Sequence, residues 1–314
     1  MGMGEGKLSF AEAFTVQRRE TDLDRLSMLI RWERLRYRID KLLARSREGR
    51  PPYDSLKMFK ALLLQRFYNL SDRDLEDALY DRLSFRRFCG FGLDEALPDA
   101  TTLLRFRQAL GEKTQRLLDL MNEELQAQGV RMGQGAIVDA TLIRSSAKRP
   151  KAEEVSEVDP EAGWTKKGGQ YTHGYKAHVA VDDVHGLVQA TVATGAEVHD
   201  SQVFGALLTG EETAVYGDKA YGSAANRQRL VQTGTKDCLL YKASKKTPLK
   251  PWQVWLNKVY GRTRQTIERT FAHWKGVLGL TRARYRGWAK NQVHFDLLAI
   301  AYNLRRALKL IPCR

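Results

Sequence analysis

From Thr21 to Gln128 the apolar residues recur at helical spacing, with no sustained alternation, so the pattern predicts an all-helical segment. Ser71 with Asp74 three residues later makes a capping-box-like start for the helix DRDLEDALY. A helix through Met58, Leu62 and Phe67 precedes it across a short turn at Asn69 and Leu70. Helix, tight turn and helix is the outline of a DNA-reading motif and equally of any small bundle. Pro98 and Asp99 open a further helix at Thr101, and Gly111 and Gly129 punctuate the rest of the segment.

After Gly129 the pattern changes. GAIVDATLI (135–143), HGYKAHVAVDD (173–183), GLVQATVAT (186–194) and ETAVYGDKAYGS (212–223) are short, β-branched and bounded by Gly or Asp, as strands are. The middle two, joined through Asp183 to Gly186, read as a hairpin. Asp182 and Asp183 in its turn are expected to be solvated. The stretch 145–172, rich in Lys, Glu, Gly and Ser with Pro150 and Pro160, reads as a mobile loop. A helix at 223–232, a strand DCLLYKA and two helices (252–278 and 291–310) complete the chain. The order predicts an α/β domain with a mixed sheet over residues 131–314, preceded by an all-α domain over 1–130. His199 and Asp200 before Ser201 read as a helix start with ordinary capping.

Composition adds charge to this outline. The 314 residues are 43% hydrophobic, enough to build cores, and carry a formal net charge of +15 with a sequence pI near 9.7. Such a basic excess concentrates polyanions and points to nucleic acid, although a ribosomal or membrane-surface partner would leave the same mark. Cys89, Cys238 and Cys313 are isolated, which argues against a zinc site and a disulfide framework and fits a reducing cytoplasm. The opening MGMGEGKLSF has no signal-peptide pattern, and the apolar stretch Leu297–Tyr302 is too short for a membrane span.

The charge is not evenly spread. Between Asp237 and Asp296 the only carboxylate is Glu268, while thirteen Lys and Arg residues lie from Lys242 to Lys290. On a helix, Ile267, Phe271, Trp274 and Leu278 form an apolar stripe, and Arg264, Glu268 and Lys275 form a second beside it. Glu268 is then either half of an ion pair with Arg264, worth about 0.3–0.5 kcal/mol, or a ligand. Asp139 interrupts the apolar strand of Ile137, Val138 and Leu142, where an ionised carboxylate costs several kcal/mol without a compensating cation. A turn-capping Asp is its plain alternative. Asp218 ends the strand Ala214–Tyr216, where open α/β sheets place their ligands; Gly-Asp turn chemistry is the alternative there. Together the three offer hard oxygen ligands suited to Mg²⁺ or Mn²⁺ and not to zinc. Two such ions would serve an in-line displacement at phosphorus, with the basic run holding the phosphodiester backbone.

These residues resemble the DDE transposases of bacterial insertion sequences, most closely the insertion-sequence-five group. VDATLI is similar to the family's first catalytic Asp strand, YGDKAYGS to its second, and the spacing of Arg264, Glu268 and Lys275 to its signature around the third acid. Gly261 stands where the family places a Tyr, and Tyr260 is one position off. The resemblance implies a ribonuclease-H-like fold and Asp139, Asp218 and Glu268 as both the catalytic residues and the ligands of two Mg²⁺ or Mn²⁺ ions. It further implies binding of double-stranded DNA at terminal inverted repeats and target, by a homodimer, then hydrolysis and strand transfer in a bacterial cytoplasm beside the nucleoid. Arg264, Lys275, Lys219, Tyr221, Arg262 and Arg269 are the expected DNA contacts. Trp252, Trp255 and Trp288 flank basic residues and either stack on an extruded base or pack in the core, the latter being the favoured reading. The rival is a DNA-binding regulator without catalysis, or a domesticated transposase; a glycosidase would explain neither the basic run nor the helical segment.

Overall fold

A computed structural model describes residues 20–43, 53–151, 154–244 and 247–311. The opening MGMGEGKLSF, Lys245, Lys246 and Cys313 lie outside the described residues. Among the described residues seven helices come first: α1 (Asp22–Leu29), α2 (Trp32–Leu42), α3 (Ser55–Phe67), α4 (Asp72–Asp81), α5 (Leu83–Cys89), α6 (Ala100–Leu110) and α7 (Lys113–Ala127). The Ser71 box closes as the sequence implies, with Asp74 N donating to Ser71 Oγ at 3.1 Å and Ser71 N donating to Asp74 Oδ2 at 3.0 Å. Asn69, at φ 54°, makes the turn between α3 and α4.

The second half contributes β1 (Ala136–Arg144), β2 (Gly163–Lys167), β3 (Gln170–Asp182), β4 (Val188–Gly195), β5 (Ala214–Gly217), α8 (Ala224–Gln232), β6 (Lys236–Leu239), α9 (Pro251–Gly276) and α10 (Trp288–Leu310). β1 pairs antiparallel with β3 and parallel with β5; β3 also pairs antiparallel with β4, and β6 adds parallel to β5. The result is the mixed sheet with helices that the element order predicts, consistent with a ribonuclease-H-like fold. On one face Ile137, Val179 and Val181 meet Ile267 and Trp274 of α9 and Phe295 and Leu298 of α10 in a core that runs on into α1–α7. On the other face Val138, Ala180 and Val215 pack with Phe204, Tyr221 and Leu230.

Three expectations are corrected. The stretch 145–172 contains β2, paired to the start of β3, and is anchored by Asp159, which is 1% exposed and accepts from Ser145 Oγ, Tyr175 OH and Gly287 N. Asp182 is fully buried, because its carboxylate accepts from the N–H groups of Gly133, Val184, His185 and Leu187 and so builds the hairpin turn. Gly186 completes that turn at φ 72°, where an added Cβ would lie 2.7 Å from Thr266 Cγ2 of α9. Finally, Trp252, Trp255 and Trp288 are exposed by 50%, 63% and 49%, not packed in the core. Cys89 and Cys238 are buried free thiols, and no helix among the described residues is long and apolar enough to cross a membrane.

Candidate active site

Strand register brings the first two acids together. Val138 of β1 pairs with Gly217 of the parallel strand β5, so Asp139 and Asp218, the next residues of each chain segment, stand level on neighbouring strands. The third element is α9, which lies against β1 and β5 through the stripe that includes Ile267 and Trp274, both 0% exposed. That packing sends Arg264 inward. Its Nη2 donates to Asp139 Oδ2 at 2.7 Å, and its Nη1 lies 3.8 Å from Asp218 Oδ1.

Burial sets the electrostatics. Asp139 has a side chain 20% exposed against 47% for Asp218. Burial pushes the Asp139 carboxyl up, Arg264 and the Ala140 N–H draw it back, and the negative charge of Asp218 adds to the rise. Each aspartate also accepts from the next backbone N–H, Ala140 at 2.8 Å and Lys219 at 2.7 Å.

Glu268 stands one helical turn beyond Arg264. It is exposed and, among the described residues, makes no ion pair with Arg264, whose guanidinium is taken by the two aspartates. Among the described residues no three His, Cys, Asp or Glu side chains converge as a metal-holding group. The structure therefore unites Asp139, Asp218 and Arg264 and leaves Glu268 outside that group, one helical turn further along α9. The donor set nevertheless suits a hard cation: two carboxylates from adjacent strands already share one positive group.

Of the expected DNA contacts, Lys219, Arg262, Arg269 and Lys275 are exposed and Arg264 points into the site. Tyr221 is corrected: it is fully buried against Phe204, ring centroids 5.9 Å apart, and does not present its ring or hydroxyl to a ligand. Tyr260 packs behind the site, edge-on to Tyr216 at 5.8 Å, its hydroxyl pushed up to about 12 by burial. Sequence reasoning missed the group on the opposite face. Asp200 does not cap a helix; it accepts from Lys176 Nζ at 2.9 Å and lies 4.0 Å from Nδ1 of buried His178, whose ring burial pushes down to about 4. His199 does the capping, accepting from Ser201 N. The signal was present, since Lys176 and His178 are two apart on a strand and share a face.

The chain matches the family described as Transposase DDE domain over residues 131–304, and the one described as Transposase domain (DUF772) over residues 12–109. Among solved structures it is similar to the piggyBac transposase synaptic complex with hairpin DNA, at 11% identity, covering 91% of this chain and 72% of that one with a TM-score of 0.45. It is similar also to the Mos1 mariner paired end complex with Mn, at 14% identity, covering 95% and 89% with a TM-score of 0.22. Those overlaps are low, and membership is decided by the family match over more than half of the chain. With paired aspartates at adjacent strand ends inside that matched stretch, the chain belongs to the family of transposases that carry a DDE domain.

Proposed function

We propose that the protein is an insertion-sequence transposase of the insertion-sequence-five-like group, which binds terminal inverted repeats and catalyses metal-dependent phosphodiester hydrolysis and strand transfer. The observation that carries this reading is the pair Asp139 and Asp218, level on parallel strands and sharing one cation, beneath a helix whose only carboxylate is Glu268.

In this reading Asp139, Asp218 and Glu268 hold two Mg²⁺ or Mn²⁺ ions. Bound there, the metal supplies Lewis-acid activation of the attacking oxygen and charge stabilisation of the leaving one. The chain's own residues do the rest. Arg264 keeps two like-charged carboxylates side by side, where repulsion would otherwise part them. Glu268 is exposed and unpaired among the described residues, so no ion pair has to break before it takes a ligand. Lys219, Arg262, Arg269 and Lys275 offer exposed cations for the backbone phosphates, which fix register without reading sequence. The helical segment is the part we assign to end recognition and to joining two copies on two ends, in the bacterial cytoplasm beside the nucleoid.

The test is cleavage of DNA carrying the native flanking ends with Mg²⁺ or Mn²⁺, comparing wild type with Glu268→Gln. Wild type is expected to leave mapped 3′-hydroxyl ends, while the variant binds with unchanged or slightly higher affinity and does not cut. A variant that cuts at the wild-type rate removes Glu268 from the site. If both bind and neither cuts with any divalent metal, the protein is a DNA-binding regulator.

A further inference from the structure

Between the C-terminal half of α9 and the last turns of α10 lies a cleft of about 130 Å³ lined by Arg269, His273, Tyr302, Arg305, Arg306 and Lys309. Four of the six are cations and none is an acid. Tyr302 is 7% exposed and fixed by Thr270, hydroxyl to hydroxyl at 3.1 Å. Arg305 donates through Nη2 to Phe67 O at 2.7 Å, and Arg306 through Nε to His185 O at 3.1 Å. Arg305 and Arg306 are thus each tethered by one N–H, and among the described residues their other donors make no hydrogen bond and none of the four cations makes an ion pair. His273 lies edge-on to Tyr302 with ring centroids 5.3 Å apart, and its buried Nε2 has no hydrogen-bond partner among the described residues.

Like charges gathered in one cleft repel unless an anion joins them. The field is felt by His273, whose ring burial pushes down first and Arg305, Lys309 and Arg306 push down further. Guanidinium forks and an ammonium together suit a phosphate, which accepts several charge-assisted hydrogen bonds. The volume is that of about four waters at ~30 Å³ each, the scale of one tetrahedral oxyanion.

The position relative to Glu268 selects the source of that phosphate. On an ideal helix Arg269 and His273 stand about 100° to 140° round the axis from Glu268, while Arg264 stands about 40° to the other side. Glu268 therefore lies between the sheet-facing and the cleft-facing sides of α9. His273 is five residues on, about 7.5 Å along the axis, within roughly two phosphates of one DNA strand at about 3.4 Å per charge. Lys258 and Arg262 continue the same side of the helix toward its start.

We propose that the cleft seats one backbone phosphate of the DNA strand, about two phosphates from its neighbour at Glu268. The inference rests on the transposase reading for that neighbour. Free inorganic phosphate shares the chemistry, so the test separates the two sources.

Duplexes carrying the native flanking end, each with one phosphate replaced by a neutral methylphosphonate, are titrated without divalent metal against wild type and the double variant Arg269→Gln/Lys309→Gln. Neither altered side chain makes a hydrogen bond among the described residues, and a melting temperature equal to wild type confirms folding. One position is expected to weaken wild type and lower its salt slope by about 0.9, with no further effect on the double variant. Equal effects on both proteins at every position overturn the proposal. So does a shift of the His273 ring resonances by inorganic phosphate that saturating DNA leaves unchanged, because the cleft then takes a free anion. Wild type that fails to bind the duplex sinks the transposase reading as well, an outcome distinct from the other two.

Discussion

Tyr221 shows what a residue type does and does not say. Placed just after Asp218, it reads as a substrate contact, yet it is fully buried and its hydroxyl has no hydrogen-bond partner among the described residues. Burial first, then the negative charges of Asp200 and Asp139, hold that hydroxyl well above the usual phenol range. An unpaired buried hydroxyl costs free energy, on the order of 1–3 kcal/mol. Tyr221→Phe should therefore be neutral or stabilising by up to about 2 kcal/mol in urea unfolding, with unchanged DNA affinity; a loss of affinity would restore Tyr221 to the substrate side. Other single residues were legible. Asp139 stood out because an apolar strand does not tolerate an uncompensated carboxylate, and the structure supplies Arg264 as the compensation. Trp255 was misread although its spacing held the answer: it lies twelve residues before Ile267, about 120° round an ideal helix from the packed stripe.

At the scale of elements, periodicity located α9 and α10 but not the polar pin between them and the rest. Asp296 of α10 accepts from Thr114 of α7 at 2.6 Å, Thr191 of β4 at 2.5 Å and Gln292 at 2.9 Å, tying three elements at one carboxylate. Burial pushes it up to about 6 despite those donors. A carboxyl raised in the fold favours the folded state when protonated. Its contribution is complete below the ordinary value near 3.8 and is lost as pH rises through about 6. The change amounts to roughly 3 kcal/mol. Asp296→Asn, which cannot ionise, should keep that stability at neutral pH, so its advantage over wild type should grow by roughly that amount between about pH 4 and pH 7 in urea unfolding. Parallel pH profiles would show that Asp296 does not titrate there. No spacing rule announces such a pin, since Thr114, Thr191 and Asp296 are far apart in the chain and meet only through tertiary packing.

For the molecule as a whole, charge was the most readable quantity. A net +15 with a basic run that holds a single carboxylate predicts binding dominated by phosphate contacts. With about 6 to 10 contacts, affinity for duplex DNA should fall roughly 10³- to 10⁵-fold between about 50 and 200 mM salt; a flat salt dependence would mean that the run does not touch the backbone. The change of element type near Gly129 was also visible in the pattern, because helical spacing gives way to β-branched runs. What the pattern does not encode is that one core crosses that point. α10 packs on β4 and also on α7, α3, α1 and α6, so the helices written first in the sequence share a core with α10. Synthesis proceeds from the N-terminus, and α1 to α7 leave the ribosome with the apolar surface meant for α10 still bare. Their shared core is complete only when Trp288–Leu310 arrives. A chain stopped short of that helix leaves the apolar surface that α10 covers open to water.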